Sequence, residues 1–113
     1  MKKFFGQIGR IKPECIEEYC RLHEVDVYTE KWAGVLQLIR DCNIQNYNIF
    51  IEDDVVFGYY EYVGEDFEAD MKKLDADPVS QRWEVLMRSM MIPVDDRKEG
   101  EFWAGMTEVY HLD

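Results

Sequence analysis

Two hydrophobic periodicities take turns along the chain. KFFGQIGRI (Lys3–Ile11) has period-two character in Phe5, Gln7, Gly9 and Ile11, which predicts an opening strand. Pro13 follows at a position that the first turn of a helix tolerates, with Glu14, Glu17 and Glu18 near the positive end of its dipole. That helix is expected to run from Pro13 to about Val25. TEKWAGVLQLIRDC repeats Trp32, Val35, Leu36, Ile39 and Cys42 at helical spacing, with Thr29 as its expected N-cap. IQNYNIFIED then alternates, Ile44, Asn46, Asn48 and Phe50 set against Tyr47, Ile49 and Ile51. It reads as a strand that turns at Glu52, Asp53 and Asp54. VVFGYYEYV (Val55–Val63), rich in β-branched and aromatic residues, is its hairpin partner.

The second half repeats the plan. GEDFEADMKKLDAD predicts a helix with Phe67, Met71 and Leu74 on one side. PVSQRWEVLMRSMM predicts another, with Val79, Trp83, Leu86, Met87 and Met90 turned inward and Pro93 as its stop. VDDRKEGE (94–101) is a polar loop, and FWAGMTEVYHL (102–112) is the last strand, with His111 inside it. The order β-αα-β-β-αα-β is that of an α+β, ferredoxin-like fold. It has a four-stranded antiparallel sheet with helices on one face. Residues 1–113 are expected to form a single domain. The other sheet face carries Phe, Tyr and Ile side chains that need cover. A homodimer, sheet packed against sheet in a dimeric α/β-barrel assembly, would supply it.

Composition narrows the function. Of the 113 residues 47% are hydrophobic and 14% aromatic, enough for a packed core. The net charge of −11 repels phosphate backbones and anionic lipids, so neither nucleic acid nor a membrane is an expected partner. A neutral sugar meets no such barrier. Cys15, Cys20 and Cys42 are odd in number and lack a CxxC spacing, which fits neither a disulfide framework nor a zinc site. No long apolar segment and no signal-like leader is present, so the expected compartment is the cytoplasm.

Candidate chemistry is sparse. Tyr19 and His23 stand i, i+4 on one helix and project from the same side. A phenol and an imidazole so placed are either a half-buried packing face or a proton-transfer pair. Tyr47 is a strand aromatic that points either into the helix layer or into an open cavity. Trp83, in QRWE (Gln81–Glu84), is either a core tryptophan or a platform for the apolar face of a sugar ring. Glu84 flanks it. Asp53 and Asp54 read as a turn, and Met87, Met90 and Met91 as core filler. There is no GxGxxG, P-loop or HExxH, and two distant histidines give no metal constellation. No cofactor and no metal are expected.

Taken together, PECIEEYCRLH (Pro13–His23), NYNIF (Asn46–Phe50), DPVSQRW (Asp77–Trp83) and the closing EVYHL (Glu108–Leu112) resemble the L-rhamnose mutarotase family over nearly the whole chain. The resemblance implies a ferredoxin-like dimeric isomerase that interconverts the α and β anomers of a free aldose, L-rhamnose or a related deoxysugar. It implies that His23 is the catalytic proton donor. Tyr19 and Tyr47 are then sugar contacts, and Trp83 is the first of a Trp-Trp pair. Members typically read QRWW where this chain reads QRWE, so Glu84 stands in the place of the second tryptophan. The segment after His23 also lacks the N-P-x-W-P pattern common there. Two other readings remain beside it. One is a non-catalytic, sugar-binding regulatory dimer; the other is a cofactor-independent monooxygenase on the same fold.

Overall fold

The opening alternation becomes a nine-residue strand, β1 (Lys3–Ile11), at the centre of the sheet. The structure is a computed structural model and describes residues 2–94 and 101–113. A 3-10 turn at Pro13–Cys15 leads into α1 (Ile16–Glu24). A second such turn at Asp26–Tyr28 leads into α2 (Ala33–Asp41). The hairpin β2 (Ile44–Glu52) and β3 (Val55–Tyr62) follows, then α3 (Phe67–Ala76) and α4 (Pro78–Met90). Two short strands, β4 (Met91–Ile92) and β5 (Trp103–Met106), complete the sheet. All pairings are antiparallel, in the order β2-β3-β1, with β4 and β5 both on the free edge of β1. The expected α+β, ferredoxin-like order of elements is therefore the observed one.

Register and contacts assign the two faces. Phe5 stacks on Phe67 of α3 at 4.9 Å, and Ile11 is fully buried with Val56, Tyr19, Leu22, Met87 and Met90. The odd residues of β1 and the even residues of β3 thus face the helices. The second cluster, Val27, Trp32 and Val35, fills the layer between α2 and α4. Phe4, Ile8, Phe57 and Tyr59 face the other way. The carboxylate of Asp66 caps α3 by accepting from the Ala69 amide, and Asp77 caps α4 by accepting from Val79 next to Pro78 at N1.

Four expectations change. Thr29 does not cap α2: its hydroxyl donates to the Asp26 carbonyl and closes the 3-10 turn, and the helix begins four residues later. The last strand does not run from Phe102 to Leu112. Met91 turns extended as soon as α4 ends and pairs with Ile11, before Pro93 is reached. The remaining edge of β1 takes Trp103–Met106 and then ends, so the sheet's fourth place is shared by two short strands. His111 lies outside any strand and stacks on Phe4 at 4.6 Å. The expected loop at 94–101 falls at 95–100 outside the described residues.

The fourth change concerns β2. Gln45 pairs with Glu61 and Asn48 with Tyr59, so Asn46 and Tyr47 together oppose Tyr60 alone. This is a β-bulge. Asn46 takes the left-handed backbone it requires, with φ 50°. The expected alternation breaks there. Ile44, Tyr47, Ile49 and Ile51 share the helix face, while Gln45, Asn48 and Phe50 share the outer one. Among the described residues no helix is long and apolar enough to cross a membrane.

Candidate active site

The i, i+4 spacing in α1 brings the rings of Tyr19 and His23 to 4.4 Å between centroids. The carbonyl oxygen of Tyr19 lies 2.8 Å from His23 Nδ1. A carbonyl only accepts, so Nδ1 carries the proton and Nε2 keeps a free lone pair in the neutral ring. Burial pushes the imidazole below its ordinary value, against the opposing pull of that hydrogen bond. His23 is thus held neutral and oriented, with a basic nitrogen free.

The helical repeat of α4 places Trp83 against the same ring. His23 and Trp83 meet edge-on at 5.4 Å, and Trp83 meets the buried Trp32 of the α2 layer edge-on at 5.1 Å. Trp83 therefore joins the core between the helices to the His23 ring, so its reading as a core tryptophan holds.

The sheet supplies the floor. The bulge turns Tyr47 toward the helices, where its ring lies 5.3 Å from Tyr60. Gln7 Nε2 donates to the Tyr47 hydroxyl at 3.3 Å. Tyr47 as a residue is 40% exposed, but desolvation of its hydroxyl raises the phenol well above its usual value, with Tyr60 and Glu84 adding to the shift. Tyr19 is raised likewise, by burial first and then by Tyr47. Both phenols stay protonated at neutral pH. They donate or accept hydrogen bonds without bringing charge.

Glu84 stands at the rim. Its carboxylate is half exposed and lies 3.5 Å from Arg88 one turn on. It lines a cleft of about 410 Å³ with Arg88, Trp103 and Gly105. Burial raises its carboxyl above the ordinary value; Arg88 opposes the shift and Asp75 adds to it. Its charge reaches both Tyr19 and Tyr47.

Tyr19, His23 and Trp83 thus meet ring to ring, and Tyr47 and Glu84 lie within electrostatic reach of Tyr19. Gln7, Tyr60 and Trp103 adjoin these residues and were not read as candidates in the sequence. Trp103 lies close over Gly58, where an added Cβ would meet Gln7 at 3.2 Å and Trp103 at 3.6 Å. A signal for this floor did exist. Gln7 and Gly9 interrupt the apolar side of β1, which marks a face that is not simply packed. His111 lies elsewhere. Among the described residues no group of His, Cys, Asp and Glu could hold a metal ion.

What this arrangement can do is move protons on an uncharged, hydroxyl-rich ligand that has an apolar face. It pairs an oriented neutral base with a carboxyl held up in pKa, two neutral phenols and indole walls.

Comparison with known proteins adds identity to geometry. The chain matches the family model of L-rhamnose mutarotase over residues 5–112. Among solved structures it is similar to L-rhamnose mutarotase from Formosa agariphila, with 17% identity, 98% of this chain and 99% of that one covered, and a TM-score of 0.73. It is also similar to a NIPSNAP family protein from Agrobacterium tumefaciens, with 18% identity, 88% and 99% coverage and a TM-score of 0.57. An antibiotic biosynthesis monooxygenase gives 15% identity, 97% and 100% coverage and 0.50. At such identities these likenesses speak to the fold. No curated protein sequence matches. The match over 5–112, on a fold shared with a solved mutarotase, makes this chain a member of the L-rhamnose mutarotase family, and so a sugar-acting isomerase.

Proposed function

We propose that this protein speeds the exchange of α and β anomers of a free aldose, L-rhamnose or a closely related sugar, through His23 and Glu84. His23 Nε2 takes the proton of the anomeric hydroxyl while protonated Glu84 gives its proton to the ring oxygen. The C1–O5 bond breaks and an open-chain aldehyde forms. Rotation about C1–C2 presents the other face of the carbonyl. On reclosure Glu84 takes its proton back from the O5 hydroxyl and His23, now the proton donor, gives its proton to the new anomeric oxygen, so neither residue is consumed. Tyr19 and Tyr47 orient hydroxyls, and Trp83 covers the apolar face of the ring. The observation that carries this reading is the His23–Tyr19 hydrogen bond, which leaves a neutral imidazole with one free basic nitrogen against Trp83.

The test is anomer exchange in a freshly dissolved single anomer, followed by NMR magnetisation transfer. Wild-type protein is expected to exceed the buffer rate, and His23→Ala to lose about 100-fold or more of the excess. Exchange at the buffer rate for every common aldose, with sugar-dependent thermal stabilisation, would instead leave a sugar-binding protein without catalysis. Oxygen consumption with a quinone-like substrate would favour the oxygenase reading.

We infer also that the apolar outer face closes against a second copy of the chain, because Ile8, Phe50, Phe57 and Met106 are exposed on it together.

A further inference from the structure

Tyr47 reaches the site because β2 is bulged, and the groups that hold the bulge lie on the opposite side of the sheet. Gln45 faces outward, so unbroken alternation would turn Tyr47 outward too. The extra residue is absorbed at Asn46, whose left-handed backbone sends its amide to the outer face and Tyr47 to the inner one. Few side chains accept that backbone, and Asn is one of them.

On the outer face the Asn46 amide donates to Glu61 Oε1 at 2.9 Å. Gln45 Nε2 donates to the same oxygen at 3.2 Å, and the Tyr59 hydroxyl donates to Oε2 at 2.8 Å. Lys2 adds an ion pair at 3.5 Å. Glu61 is 9% exposed and is the one buried charged residue among those described. A buried carboxylate persists only when its oxygens are satisfied, and here donors from both sides of the irregularity satisfy it. These donors, Asn46 first, then Tyr59 and Gln45, hold its carboxyl down at about 2, so it stays ionised at any working pH.

We propose that Glu61 is a positioning residue for the site on the far side of the sheet: with Asn46 it fixes the bulge that turns Tyr47 inward beside Gln7 and Tyr60. Its effect on activity rests on the sugar-contact role proposed for Tyr47; its effect on geometry does not.

Two readouts separate these. The first is the nuclear Overhauser contact between the Tyr47 and Tyr60 rings, now 5.3 Å apart. Glu61→Ala is expected to lose it and Glu61→Gln, which keeps an oxygen for Asn46, to restore it. At Asn46 itself, Asn46→Gly accepts the positive φ and keeps the contact. Asn46→Val, β-branched and disfavoured there, loses it. If Glu61→Ala does not fold, Asn46→Asp decides the matter: aspartate accepts the positive φ but sets a second carboxylate against Glu61, and it is expected to lose the contact that Asn46→Gly keeps. The other readout is sugar exchange with KM and kcat separated. Misplacing one contact is expected to cost about tenfold or more, and adding Tyr47→Phe to Glu61→Ala should cost nothing further. Persistence of the ring contact in Glu61→Ala, or in Asn46→Asp where Glu61→Ala does not fold, overturns the proposal. Loss of the contact, with Tyr47→Phe exchanging sugar at the wild-type rate, supports the positioning and removes Tyr47 from the sugar site.

Discussion

Ile11 and Ile8 stand three residues apart on β1 and face opposite ways. Ile11 is 0% exposed among the methionines of α4 and the strand that follows it; Ile8 is 38% exposed beside Phe57. The same contrast runs across the sheet. The helix face is sealed at one end by Ile11 and Val56 and at the other by Ile44 and Tyr62, with Gln7, Tyr47 and Tyr60 between them. The outer face keeps Phe50 at 62% exposure yet buries a carboxylate, Glu61. One side uses its apolar residues to make a core and its polar ones to make a site. The other uses polar residues to hold a backbone irregularity and leaves apolar ones in the open. Hydrophobicity alone does not say which face is interior, because the helices, not the strands, decide it.

The sharpest test of that contrast is a matched pair of truncations. Ile11→Ala empties a filled position and is expected to cost about 3 kcal/mol of stability. Ile8→Ala, measured at high dilution, is expected to cost about 1 kcal/mol or less. Denaturant titration with an unchanged m-value reads both. Equal costs would mean the two faces are equally buried in the single chain.

The next effect is on catalysis and tests the polar middle of the helix face. His23 works when neutral, and its pKa lies below the ordinary 6.5. Glu84 works when protonated, and its pKa lies above the ordinary 4.5. The exchange rate should therefore rise with pH as His23 loses its proton and fall again as Glu84 loses its own. Glu84→Gln keeps the shape and removes the titration. It is expected to lose about tenfold in rate and the whole alkaline limb. An alkaline limb that survives in Glu84→Gln would take Glu84 out of the reaction. Stability follows the same shifts. His23 is depressed in the folded state, so its contribution is lost as pH falls below 6.5; Glu84 is raised, so its contribution is lost as pH climbs above 4.5.

These two faces also show where the sequence was readable. Nearly every element was legible, because apolar residues fall at helical spacing in three segments, Pro13 with Glu14, Glu17 and Glu18 marks a fourth, and β-branched or aromatic residues fill three. Tyr19 and His23 were legible as a pair for the same reason: i, i+4 spacing is a local fact. Tyr47 was not legible in its direction, because one left-handed residue, Asn46, reverses the alternation and its cause is Glu61, fifteen residues on in the chain. Trp103 was legible as a strand residue only. Its place over Gly58 depends on which edge of β1 the last segment takes. Tertiary pairing, not propensity, fixed both.

The smallest effect on the single chain concerns Phe50. It packs on Phe57 alone among its aromatic neighbours, at 6.5 Å, so Phe50→Lys should change the stability of the isolated chain by no more than about 0.5 kcal/mol. If a second copy covers that face, the same change has a large effect on assembly, because a lysine would be buried there without a carboxylate built to meet it. Charge sharpens the reading. Each chain carries −11, so two copies repel, and apolar burial has to drive their association. Phe50→Lys makes the chain less negative, so any loss of association comes from the lost aromatic and the buried ammonium, not from added repulsion. Sedimentation is expected to find wild-type pairs that tighten as salt screens the chains, and single chains for Phe50→Lys. Wild-type protein that sediments as single chains at high concentration and high salt would leave the outer face uncovered and the dimer refuted.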